Sequence, residues 1–282
     1  MSTAAPSSTL ECNGWRIHLG ELDTGIGEPA KLLTSAVMAI NAPAAPHRRS
    51  RHATTYRIQG SPQVNFREMF VKILDAPTGT AWVKRLIRGS TAAHVLRITR
   101  ALTSAGVATA PLLFWGHEII GGREFLLTRR AEGEGIFNAI DALKTGPPVH
   151  KWALMRALGR EVARLHLSGF VHGDLTPYNI FVIRDEPPRF VFIDHERTRR
   201  NFAVGRKRRQ LRNLVQLGRF AVPGLSRTDR ARVLDAYAGA FGLRKPRRLR
   251  RRVANMLLKR QSRDRRSVHR SAGRASVRTS VV

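Results

Sequence analysis

Cysteine, acidic side chains and long apolar runs are all scarce in this chain of 282 residues. Cys12 is the only cysteine, which excludes a disulfide framework and a cysteine-ligated zinc site and points to a reducing compartment. Asp and Glu number 20 against 50 Lys and Arg, a formal net charge of +30. A surface so basic repels cationic partners and seeks polyanions: nucleic acid, anionic lipid head groups or phosphorylated glycans. No stretch approaches the roughly 18 apolar residues of a membrane span. The first ten residues lack the basic and apolar regions of a secretory signal. The expectation is a soluble or peripheral protein on the cytoplasmic side. A hydrophobic content of 42% still suffices for a sizeable core, in one domain or in two lobes.

What is present gathers in one stretch, Phe170-Val171-His172-Gly173-Asp174-Leu175-Thr176-Pro177-Tyr178-Asn179-Ile180-Phe181-Val182, answered by Val191-Phe192-Ile193-Asp194. Two apolar, strand-like runs flank a polar loop. The loop carries an aspartate and, five residues on, an asparagine; a second aspartate follows fifteen residues after that, closing another apolar run. Such spacing suits phosphoryl transfer from a metal-bound nucleotide. Asp174 can orient a substrate hydroxyl and accept its proton. The Asn179 amide and the Asp194 carboxylate are hard oxygen ligands suited to magnesium. His172, Asp174, Asn179 and Asp194 keep the offsets of the kinase catalytic loop His-Arg-Asp-x-x-x-x-Asn and its later metal aspartate, with Gly173 replacing the arginine. Turn formers alone explain an isolated Asp-Leu-Thr-Pro; they do not explain the whole set of offsets.

In chain order, residues 1–50 read as an N-terminal extension. Residues 1–14 are Ser/Thr/Ala/Pro-rich and expected to be disordered; a helix starts near Glu28-Pro29-Ala30 and runs towards Ile40, and a basic linker spans Asn41 to Arg51. Residues 51–130 read as a small sheet-built lobe. Its strands are expected at Thr54–Ile58, Met69–Leu74, Pro111–Trp115 and Glu124–Thr128, with turns at Gly60-Ser61-Pro62 and Gly121-Gly122. Lys72, in Met69-Phe70-Val71-Lys72-Ile73-Leu74, is the candidate to pair with the α/β-phosphates of ATP, and Lys84 is its rival. Ser90-Thr91 caps a helix ending at Gly106. That helix is where a glutamate would hold the strand lysine, yet no acid lies between Ala76 and His117, and His94 or Val95 stands in its place. Thr128 to Gly133 reads as a hinge whose backbone can hydrogen-bond an adenine, and Glu132-Gly133-Glu134 reads equally as part of that function or as an ordinary solvated loop. Residues 131–243 read as a mainly helical lobe, with helices over Lys151–His166, around Leu211–Leu217, and around Val233–Phe241 capped by Ser226 or Thr228. Residues 244–282 form a basic tail, fifteen Lys and Arg against Asp264, with a short amphipathic island at Val253–Leu258.

From about Arg51 to Leu243 the chain resembles the protein-kinase-like superfamily, and within it the bacterial lipopolysaccharide core kinases of the Kdo/WaaP type. The resemblance rests on Phe70-Val71-Lys72, on Ser104-Ala105-Gly106-Val107-Ala108-Thr109 before a proline, on Leu165-His166-Leu167-Ser168-Gly169-Phe170-Val171-His172-Gly173-Asp174-Leu175, and on Ile193-Asp194-His195-Glu196-Arg197 in place of Asp-Phe-Gly. An Arg-rich helix over Arg208–Arg219 replaces an activation segment, and an Ala-Pro-Glu motif is absent. The resemblance implies an α+β, bilobal fold with a small, mainly antiparallel β N-lobe carrying one helix and a larger, mainly α-helical C-lobe. It implies ATP- and magnesium-dependent phosphorylation of a sugar hydroxyl in the lipopolysaccharide core, at the cytoplasmic face of the inner membrane. Carried over, Asp174 is the catalytic base, Asn179 and Asp194 the magnesium ligands and Lys72 the phosphate anchor. His172 shapes the catalytic loop, Gly173 meets a backbone need, and Arg197 meets a phosphate or a structural carboxylate. The sequence departs from the pattern in three ways: Gly60 is the only glycine between Asn41 and Lys72, the helix glutamate is missing, and the basic tail lies outside the match. Two alternatives remain: a small atypical kinase with another acceptor such as RNA, or a pseudokinase-like basic module binding anionic lipid or nucleic acid. The basic tail suits peripheral contact with an anionic membrane.

Overall fold

Short runs of alternating burial make the first part of the molecule a sheet. The structure, a computed structural model, describes residues 9–20, 46–50, 52–59, 68–76, 89–200, 205–219, 224–260 and 262. The helix expected towards Ile40, the turn at Gly60-Ser61-Pro62, Lys84 and residues 263–282 lie outside them. Among the described residues, seven strands form one sheet: β1 (Thr9–Cys12), β2 (Trp15–Leu19), β3 (Arg48–Arg49), β4 (Ala53–Gln59), β5 (Glu68–Leu74), β6 (Leu112–Glu118) and β7 (Glu124–Arg129). Their order is β1-β2-β6-β7-β5-β4-β3, and each pairing is antiparallel. Along β5, Met69, Val71 and Ile73 are buried and pack with Trp15, Ile17, Phe114, Phe125 and Leu127 on one face. The intervening Lys72 and Leu74 fall on the other face by the period of the strand. On that face Leu74 meets a second apolar cluster with Ala92, Val95 and Leu96 of helix α1 (Thr91–Ser104). The Ser90 side chain caps α1 by accepting from the Ala93 N–H, and the buried Glu124 carboxylate accepts from the Ala92 N–H at 2.9 Å. A carboxylate at a helix N-terminus opposes the helix dipole and satisfies an otherwise unpaired donor.

The chain divides into two compact units, Met1–Gly133 with Val191–Thr198, and Glu134–Phe190 with Arg199–Val282. The second is mainly helical: α2 (Ile136–Ala142), α3 (Pro148–Leu167), α4 (Arg206–Gly218), α5 (Arg227–Ala240) and α6 over residues 246–260. Short strands β8 (Glu134–Gly135), β9 (Phe170–Val171), β10 (Ile180–Ile183), β11 (Arg189–Phe192) and β12 (Arg199–Arg200) accompany them, as β11-β10-β8 and β12-β9. Pro148 opens α3 at a position where its missing N–H costs no helical bond. Helices α3 and α5 approach closely at Gly159, where a Cβ would stand 2.2 Å from the Val233 carbonyl oxygen. A capping box starts α5: Ser226 Oγ accepts from the Asp229 N–H, and the Asp229 carboxylate accepts from the Ser226 N–H. Asp229 is also paired with Arg232 at 2.8 Å and Lys151 at 3.4 Å. Burial alone would raise the Asp229 pKa, but the Ser226 hydrogen bonds and Lys151 together hold it below the ordinary aspartate value.

This is the α+β, two-lobed protein-kinase-like architecture expected, with a β N-terminal part carrying α1 and a helical C-terminal part. Four local expectations are corrected. The disorder expected through residue 14 does not hold for residues 9–14, because Thr9–Cys12 pairs with Trp15–Leu19 as a hairpin at the sheet edge; residues 1–8 lie outside the described residues. The linker from Asn41 to Arg51 contains β3, paired with β4. Glu134, read equally as hinge or as solvated loop, lies in the short strand β8 and pairs with Val182. The apolar island Val253–Leu258 is part of a helix that already begins at residue 246.

Candidate active site

Strand register and one tight turn assemble the first group. Lys72 leaves β5 on the α1 side of the sheet, and its Nζ stands 2.5 Å from Glu196 Oε1 and 3.1 Å from Asp194 Oδ1. Asp194 has the left-handed backbone conformation, φ 66° and ψ 65°, which few side chains other than Asn and Asp adopt readily. That kink ends the run from β11 and starts the 3₁₀ turn His195–Arg197. His195 is buried and holds the turn from within: Nε2 donates to the Phe192 carbonyl at 3.0 Å, and Nδ1 accepts from the Thr198 hydroxyl at 3.1 Å. From α1, His94 Nε2 donates to the Thr198 carbonyl at 2.9 Å. The residue standing where a helix glutamate was expected therefore binds the turn. The turn in its place supplies the carboxylate, Glu196. An acid two residues after Asp194 in Ile193-Asp194-His195-Glu196-Arg197 was the available signal; attention to helix α1 alone missed it.

The electrostatics follow from this arrangement. Burial works against the Lys72 ammonium, but Glu196 and then Asp194 outweigh it and raise its pKa above the ordinary lysine value. Lys72 stays charged across the physiological range. Burial is also the main influence on Glu196 and, with the nearby Asp194, raises its pKa above the ordinary carboxylate value although Lys72 opposes the shift.

The second unit holds His172, Asp174 and Asn179. After α3, Gly169 turns the chain with φ 89° into β9, and the loop follows with Gly173 at φ 79°. A conformation of that kind disfavours a side chain, which accounts for glycine where the kinase pattern has arginine. A directional chain of hydrogen bonds holds the loop to α4. Asn213 Oδ1 accepts from the His172 N–H at 3.0 Å and from His166 Nε2 at 3.1 Å. Asn213 Nδ2 donates to Gln216 Oε1 at 2.9 Å, and Gln216 Nε2 donates to the Gly173 carbonyl at 2.9 Å. His166, donating through Nε2, accepts at Nδ1 from the Tyr237 hydroxyl at 2.9 Å, so the neutral imidazole satisfies both neighbours. Burial lowers the His166 pKa to about 4 and raises that of Tyr237. His172 is buried within the loop. Asn179 closes the 3₁₀ turn Pro177–Asn179, and its Nδ2 donates to the Asp174 carbonyl at 3.0 Å. With the amide nitrogen so used, the side chain offers Oδ1, the atom a hard cation takes.

The residues thus stand in two groups, Lys72 with Asp194 and Glu196 in the first unit, and His172, Asp174 and Asn179 in the second. Lys72, singled out in the sequence by its place in an apolar strand, lies in β5. Among the described residues no cluster of three His, Cys, Asp or Glu forms a metal cage. Each taken by itself, the Asp194 carboxylate and the Asn179 Oδ1 are hard oxygen donors of the kind magnesium takes. Among the described residues no helix is long and apolar enough to cross a membrane.

A search of curated proteins returns no match. Residues 47–237 match the lipopolysaccharide kinase (Kdo/WaaP) family. That span takes in β3 to most of α5 and every candidate residue above. The chain belongs to the lipopolysaccharide kinase (Kdo/WaaP) family, and it is a phosphotransferase.

Proposed function

We propose that the protein transfers the γ-phosphoryl group of ATP, with magnesium, to a sugar hydroxyl of lipopolysaccharide core or a related anionic glycolipid, at the cytoplasmic face of the inner membrane. The observation that carries the reading is the Lys72–Glu196–Asp194 arrangement, which supplies the lysine anchor the sequence had left without a partner. In this reading Lys72 holds the α/β-phosphates, and Asn179 and Asp194 are the magnesium ligands. When bound, magnesium offsets charge on the phosphate oxygens. Asp174 accepts a hydrogen bond from the acceptor hydroxyl, aims its oxygen and takes the proton as the bond to phosphorus forms. The acceleration comes from positioning and fixed charge. His172 contributes by keeping the loop in shape through its backbone bond to Asn213. The lobes divide as residues 51–130 and 131–243, with the extension over 1–50 and the tail over 244–282.

The reading as a non-catalytic basic module drew its support from the missing helix acid, and Glu196 removes that support. A γ-labelled ATP assay against lipopolysaccharide fractions, soluble sugars and RNA tests the proposal. Magnesium-dependent label in the lipopolysaccharide fraction is expected. Label in RNA alone would move the chain to another acceptor class.

A further inference from the structure

Away from the candidate active site, the second unit carries a basic face. Helix α6 is amphipathic in an unusual sense. Val253 is buried, and Leu249, Met256 and Leu257 on the same side are partly so; a Cβ on Gly218 of α4 would lie 3.2 Å from Leu257. The opposite side is exposed at Arg247, Arg248, Arg251, Arg252, Ala254, Asn255, Leu258 and Lys259. These positions follow the i, i+4, i+7, i+11 spacing of one helix face. They contain five cations and no acid. Arg244, Lys245, Arg247, Arg248 and Arg251 line a groove of about 750 Å³. Its one acid, Asp235, is taken up by Arg250 at 3.3 Å. An adjoining cleft of about 500 Å³ shares Asp235 and adds Arg156 and Arg160, exposed one turn apart on α3. Like charges at that spacing repel each other, so the face is stabilised by an anion from outside.

We infer that this face is a docking surface for an anionic phospholipid bilayer, with head-group phosphates in the groove and α6 lying in the plane of the interface. Two features favour lipid over nucleic acid. No aromatic residue occurs between residues 244 and 260 to stack on a base. Leu258 lies 62% exposed among these cations, so a bilayer whose head groups they bind can bury it at the acyl boundary, which RNA cannot. The surface extends the glycolipid-kinase reading to how the enzyme meets a membrane-held acceptor, but its test does not depend on catalysis.

The test is co-sedimentation of the full chain with phosphatidylcholine vesicles, with and without phosphatidylglycerol. Binding is expected only with the anionic lipid and should weaken as salt rises. The R247Q/R248Q/R251Q variant should bind on the order of a hundredfold more weakly, at about fivefold per charge. A variant with the same charge loss elsewhere, R48Q/R49Q/R97Q, should bind as the wild type does. L258N should lose severalfold on vesicles and nothing on an RNA oligonucleotide. Equal binding by the two triple variants would overturn the inference. So would vesicle binding that L258N leaves unchanged and that RNA displaces. D174A should bind vesicles normally, so failure of the kinase reading and failure of this one are told apart.

Discussion

At the scale of single residues, the decisive contact is the one between Lys72 and Glu196. Protein kinases of the general pattern take this carboxylate from a helix; here the turn that begins at Asp194 carries it, and α1 contributes His94 to hold that turn. The lysine anchor and the candidate metal ligand Asp194 are therefore fixed by one short segment. Glu196→Gln keeps the shape and removes one of two charges facing Lys72. A charge-assisted contact of about 1.5–3 kcal/mol sets the expected loss of kcat/KM at roughly tenfold to a hundredfold, read by phosphate transfer at fixed acceptor. The pH dependence has a definite sign. Burial raises the Glu196 pKa, so protonation on acidification begins above the ordinary carboxylate range, and activity should fall there as Lys72 loses its partner. The Gln variant should lack that contribution to the acid limb. Gly173 is the other informative residue. At φ 79° an alanine is strained by roughly 1–2 kcal/mol, and Gly173→Ala should lower the denaturation midpoint accordingly.

At the scale of elements, the loop that carries His172 and Asp174 owes its geometry to helices that carry no candidate catalytic group. Helix α4 holds it through Asn213 and Gln216, and α3 and α5 hold Asn213 through His166 and Tyr237. The link makes the loop acid-sensitive. A folded histidine pKa depressed to about 4 means the imidazole is neutral and fully stabilising above the unfolded value of about 6.5. As pH falls from there to about 4, only the unfolded chain takes up the proton, and roughly 3 kcal/mol of stability is lost. Chemical denaturation at a series of pH values should show that loss, and His166→Gln should flatten it. The close crossing of α3 and α5 gives a second outcome: Gly159→Ala forces a Cβ against Val233 and should cost about 1–3 kcal/mol. Much of this level was legible in the sequence. The apolar flanks of Lys72 marked β5, helical spacing found α3, and the offsets from His172 to Asp194 marked the loop. The hairpin β1–β2 was not legible, because an exposed edge strand such as Thr9–Cys12 needs no apolar alternation. Nor was the Asn213–His166 network, since hydrogen-bond partners 47 residues apart leave no periodic trace.

At the scale of the whole molecule, two demands share one chain. A metal-assisted transfer needs a few buried, paired charges; contact with a polyanionic surface needs many exposed ones. The net charge of +30 serves the second, and composition alone could name only polyanions as partners. Family membership then points to a lipopolysaccharide-type acceptor, and part of the excess charge lies on the exposed face of α6. The central claim is magnesium-dependent phosphate transfer in which Asp174 receives the proton of the acceptor. Its most direct measurement is the rate of ³²P transfer from γ-labelled ATP to core lipopolysaccharide by wild type and by Asp174→Ala, with thermal unfolding of both recorded. The account predicts label in the wild-type reaction, loss of about 10²-fold or more in a variant that unfolds as the wild type does, and none without magnesium. Equal transfer by the folded variant, or none by the wild type under any acceptor fraction, would contradict it.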